Sequence, residues 1–151
     1  MRKLVCLGLS SLLSLSCFGA LLANPDLSGK YHCSGYDSHD KAYANATLIL
    51  TLDAKDSDLS NGYAAYHLLL TEQDGIQYVG EAAANGNMLG VYFENTGVDA
   101  KAKTDRGVGI EIATHDSNRQ GKTETVLHKF YYEPNYFNGG NGLQTCIKQT
   151  V

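Results

Sequence analysis

The chain has 151 residues, with 12 basic against 16 acidic side chains and a formal net charge of −4. That length suits one ordinary domain and leaves no room for a second. An acidic surface repels phosphate backbones and anionic lipid headgroups, which argues against nucleic acid as a partner.

The opening stretch, MRKLVCLGLSSLLSLSCFGALLANPD, places Arg2 and Lys3 before an uncharged apolar run to Ala23, then turns polar at Asn24, Pro25 and Asp26. This is the layout of a secretory signal peptide at residues 1–23, with the mature domain at 24–151. A retained anchor of about twenty apolar residues would share this composition. A lipoprotein would need a lipobox before Cys17, where Ser14, Leu15 and Ser16 misplace the leucine. Cleavage removes Arg2 and Lys3 and leaves 10 basic against 16 acidic side chains, a net of −6. The expected location is secreted or periplasmic, with no membrane contact after cleavage.

Long helical periodicity is absent beyond this point, and period-two alternation recurs between turn signals. KYHCS begins the series and carries Cys33. ANATLILTL sets Ala46, Leu48, Leu50 and Leu52 on one face. After the polar stretch DAKDSDLSNG, YAAYHLLLT does the same with Ala64, Tyr66, Leu68 and Leu70. EQDG reverses the chain into IQYVGEAAA, and NGN reverses it again into MLGVYFEN. The longer loop TGVDAKAKTDRG leads to VGIEIATH, and DSNRQG leads to KTETVLHKFYYE. An aromatic corner, HKFYYEPNYFNGGNG at residues 128–142, precedes the last strand, LQTCIKQT, which carries Cys146.

Eight sequential strands with short connections predict an all-β fold, an eight-stranded antiparallel up-and-down barrel, because closure removes exposed edges. A two-sheet β-sandwich is the alternative, since the turn spacing suits both. Signal cleavage also removes Cys6 and Cys17, so Cys33 and Cys146 remain as an even pair in an exported chain, which reads as one disulfide tying the first strand to the last. Free thiols in a redox or metal role would need a CxxC or histidine-rich spacing that neither cysteine has.

The segment DLSGKYHCSG, residues 26–35, resembles the opening of calycin-type barrels: avidins, lipocalins and small periplasmic inhibitors of bacterial metalloproteases. Those families begin with a Gly-x-Trp strand that plugs one end of the barrel. Gly29 and Tyr31 stand at the matching places, with tyrosine where tryptophan is usual. The resemblance implies a structural role for both residues and covers about ten positions.

Four groups could carry chemistry. In the aromatic corner, adjacent strand residues point to opposite faces, so Tyr131 and Tyr132 cannot both enter a lumen. The expected ligand contacts are Tyr132, Tyr136, Phe137 and Asn141, a platform of rings beside polar amides; the competing reading is a corner that seals the core. In YDSHDKAY, Asp37, His39 and Asp40 pair carboxylates with an imidazole, but no nucleophile elbow accompanies Ser34 or Ser38. Asp53, Asp56, Asp58 and Asn61 imitate a calcium loop whose sixth and twelfth positions hold Asn61 and His67 instead of glycine and glutamate. His67, His115 and His128 lie in or at the end of different strands, and the triplet Asn45, Ala46, Thr47 fits a glycosylation acceptor without the context for one. No catalytic residue, metal ligand or cofactor is therefore assigned. The expected function is an exported, non-enzymatic binding protein for a small molecule or protein. The alternatives are a secreted inhibitor or host-interaction factor and, third, a hydrolase using Asp37 and His39.

Overall fold

The computed structural model describes residues 26–117 and 120–150, so the signal peptide expected at residues 1–23 lies outside the described residues. Eight strands follow in order: β1 (Gly29–Asp37), β2 (Lys41–Leu52), β3 (Tyr63–Thr71), β4 (Gln77–Asn85), β5 (Met88–Asn95), β6 (Arg106–Ser117), β7 (Thr123–Glu133) and β8 (Gly140–Lys148). Each pairs antiparallel with the next, and β1 pairs with β8, giving one closed up-and-down barrel. That closure decides against the sandwich, whose sheets would keep free edges.

The alternation read from sequence becomes the wall. Ala46, Leu48 and Leu50 on β2 and Ala64, Tyr66, Leu68 and Leu70 on β3 all point into the core. Alanines at positions 46, 64, 82, 84 and 113 sit among leucines and tyrosines there, so small and large side chains interdigitate across a narrow lumen. Each leucine removed completely from water contributes roughly 1.5 to 3 kcal/mol.

One end of the barrel is sealed. Tyr31 is fully buried, and its hydroxyl donates to the Leu27 carbonyl at 2.6 Å. The Leu27 N–H donates in turn to the Tyr66 hydroxyl at 3.1 Å. Two rings and a leucine thus form a plug whose polar atoms are paired, as burial demands. At the seam, Cys33 of β1 faces Cys146 of β8 in register, with Cα atoms 4.1 Å apart, and the two form a disulfide. No helix among the described residues is long and apolar enough to cross a membrane.

Candidate functional site

The opposite end is built differently. The turn after β1, the turn after β3, the loop before β6 and the loop after β7 all emerge there. Alternation along β7 sends Lys129, Tyr131 and Glu133 inward and leaves Phe130 and Tyr132 on the outer wall. Gly142, opposite Tyr131 on β8, makes room for that ring: a Cβ there would run into the tyrosine. Phe93 of β5 packs edge-on against Tyr131 at 5.6 Å and against Tyr78 of β4 at 6.0 Å between centroids. These rings floor a cavity of about 60 Å³. Outside it lies a cleft of about 620 Å³ between the turn after β3 and the loop before β6; Asp40, Glu72, Tyr78, Asp105 and Tyr136 border both spaces.

The rim is formed by the 3-10 turn Tyr136–Asn138. Tyr136 is buried at the cavity edge, while Phe137 stands 56 % exposed with its ring 4.7 Å from Tyr136 and 5.3 Å from His39. Phe137 has φ 44° and ψ 42°, a left-handed conformation that a bulky side chain adopts only at a cost of about 1 to 3 kcal/mol. Strain of this kind is held where surrounding structure fixes it, and here the ring lies against Tyr136 and His39. Lys101 stands over this pair, its Nζ 5.3 Å from the Tyr136 centroid and 4.9 Å from that of Phe137.

Carboxylates dominate the electrostatics. Asp37 accepts from the backbone N–H groups of His39 (2.6 Å) and Asp40 (3.2 Å) and from the Tyr131 hydroxyl (3.1 Å). Asp105 accepts on Oδ2 from the Tyr78 hydroxyl (2.9 Å) and Asn95 Nδ2 (2.8 Å). Burial, reinforced by Asp74 and Asp40, raises Glu72 to about 7; burial, reinforced by Asp37 and Asp105, raises Glu133 to about 8. Burial likewise raises Asp105. Deeper in the lumen Glu111 and Lys129 face each other in register, and burial drives both toward their uncharged forms.

No family model, curated protein or solved structure matches this chain. The site must therefore be judged on its own geometry.

Of the four expected contacts, Tyr136 and Phe137 meet at the mouth, and Tyr132 and Asn141 do not. Tyr132 is on the outer wall, in register with Val108 and Asn141, in an apolar strip that includes Ile110, Phe130 and Leu143. The ring that enters the lumen is Tyr131. Asn141 is exposed, and its backbone N–H donates to Ser38 Oγ at 3.1 Å. Asp37 and His39 lie close together without forming a catalytic pair: the imidazole Nε2 lies 3.1 Å from the Gly139 carbonyl, and Asp37 receives the His39 backbone rather than its ring. Asp58 caps its own turn by accepting from Ser60 and from Asn61. His67 pairs with Glu81, and His128 lies 3.9 Å from Asp116. Among the described residues no three histidine, cysteine or acidic side chains are grouped as a metal would need. The sequence reading missed Glu72, Tyr78, Phe93, Asp105, Lys129 and Gln144. Only β7 carried a local signal for any of them, since its inward face alternates Leu127, Lys129, Tyr131 and Glu133 and so turns polar toward one end.

These raised carboxyls fix how stability depends on pH. A native carboxyl that holds its proton above the unfolded value of about 4.3 stabilises the fold at low pH, and that contribution is lost as pH rises through the native value. Stability should therefore fall between about pH 4.5 and 8, the window bounded by Glu72 at about 7 and Glu133 at about 8. Burial disfavours the Lys129 ammonium, an effect of opposite sign. A net loss on the order of 2 kcal/mol is expected after solvent screening at the open mouth. Urea unfolding at the two ends of the window measures it, and Glu133→Gln should flatten the slope; stability that rises over this range contradicts the assignment.

Proposed function

We propose that this chain is an exported, non-enzymatic binding protein of calycin-like construction that holds a small molecule at its open mouth. The observation that carries the reading is the asymmetry of the lumen: it is apolar and plugged by Leu27, Tyr31 and Tyr66 at one end, polar, ringed with aromatics and open at the other. Pockets that bind small molecules combine such rings with a few convergent polar groups. Export is supported by the disulfide and by the composition of the first 23 residues. The calycin-like reading is supported by the closed barrel and by Tyr31 plugging the end that its place in the opening strand implies.

Native mass spectrometry of the purified protein against a small-molecule library tests the reading. A ligand bound one to one should lose at least about tenfold in affinity, about 1.4 kcal/mol, when Tyr136 and Phe137 are both replaced by alanine. Unchanged affinity would place the ligand elsewhere.

A further inference from the structure

Seven of the chain's 16 acidic side chains converge on the open end. Asp37, Asp40, Glu72, Asp105 and Glu133 border the cavity, and Asp74 and Asp99 the cleft outside. Lys101 and Lys129 stand among them, and burial pushes the Lys129 amine toward its neutral form. An acidic rim alone selects nothing, because solvated carboxylates are ordinary surface. The deciding groups are buried acceptors without donors. Asp105 is 3 % exposed, and among the described residues nothing donates to its Oδ1. Gln144 reaches the same cavity from β8, is equally buried, and has an Oε1 in the same condition. Each such oxygen costs about 1 to 3 kcal/mol until an N–H or O–H meets it.

The surrounding rings favour the same chemistry. Aromatic faces attract ammonium groups, and the amines of two of the chain's own lysines already lie over these. Lys129 Nζ lies 5.3 Å from the Phe93 centroid and 5.4 Å from that of Tyr131, while Lys101 covers Tyr136 and Phe137.

We infer that the mouth binds a small primary amine as its ammonium ion, the head in the inner cavity against Asp105 and Gln144 and the carbon body in the outer cleft. The inference rests on the mouth being the binding site, as proposed above. A cavity of about 60 Å³ admits a head of water-like size, and the cleft of about 620 Å³ takes a larger body. A quaternary ammonium has no N–H and would leave both acceptors unmet. An anion would face seven carboxylates. A metal ion would need three grouped donors, which the described residues do not offer.

Affinity should rise with pH as Glu72 and Glu133 ionise, and the ammonium itself persists to about pH 10. Asp37, Asp40, Asp74, Asp99 and Asp105 border the same spaces. Lys101 opposes, and Lys129 opposes less because burial favours its neutral form; Glu111 faces Lys129 deeper in the lumen, and His39 stands at the rim.

Calorimetric titration of the purified protein with tyramine, para-ethylphenol and para-hydroxyphenylpropionate tests the head group on nearly constant bodies. Tyramine should bind at least about tenfold more tightly than either near pH 8, about 1.4 kcal/mol, and weaken severalfold near pH 6. Asp105→Asn should cost tyramine at least about tenfold; if that variant does not fold, Glu72→Gln and Glu133→Gln together should abolish most of the pH dependence. Equal binding of para-ethylphenol, lost in Tyr136→Ala, overturns the amine and leaves the mouth as a site. Tyramine binding indifferent to both Tyr136→Ala and Asp105→Asn overturns the mouth itself. Failure of tyramine to bind at millimolar concentration, or its displacement by calcium chloride, also overturns the amine.

Discussion

Replacing Cys33 and Cys146 together with alanine should lower the stability of the chain by about 4 to 5 kcal/mol, the largest change expected from any substitution of a residue pair. The two cysteines are 113 positions apart, so their bond removes much of the freedom of the unfolded chain, and the loop-closure cost it offsets grows with that length. Both side chains are fully buried at the seam, and alanine leaves a small void without adding a polar group. Small domains hold only about 5 to 15 kcal/mol in total, so the variant should stay folded but marginal at ordinary temperature. Urea unfolding would show it as a midpoint lower by about 1.3 to 5 M, given slopes of roughly 1 to 3 kcal/mol per molar. A loss under about 1 kcal/mol would mean that strand pairing between β1 and β8 closes the barrel unaided.

Tyr31→Ala should cost about 3 to 5 kcal/mol, the range for removing a buried ring. The ring is wholly enclosed at the plugged end, and its hydroxyl is the donor that satisfies the Leu27 carbonyl. Tyr31→Phe separates the two contributions, because it keeps the ring and forfeits only the hydrogen bond; a loss of about 1 kcal/mol is expected there. Should the alanine variant melt like the parent, the plug would not be what holds that end shut.

The barrel was legible because its signal is local and repeated. The faces Ala46, Leu48, Leu50 and Ala64, Tyr66, Leu68, Leu70 are buried as alternation predicts, and the spacing of the two remaining cysteines pointed at the seam. Strand β6 shows where such reading fails. Val108, Ile110 and Ile112 would be assigned to the core on hydropathy, yet they face outward, and Glu111 and Ala113 face in. In β7, Val126 and Leu127 are both buried, so counting alternate positions from Val126 places Tyr132 inside while counting from Leu127 places Tyr131 there. The sequence offered two phases and no way to choose between them. The acidic mouth was invisible for a different reason. Asp37, Glu72, Asp105 and Glu133 are scattered over nearly a hundred positions, and only curling the sheet on itself brings their loops to one opening.

Closure of β1 against β8 also governs when folding can finish. The suture joins residues 31–37 to 142–148, so a nascent polypeptide lacking its final segment offers β1 and β7 as raw borders, open to any neighbouring strand. The cylinder is complete only when both flanks have arrived, so its closure waits for the last strand to be made.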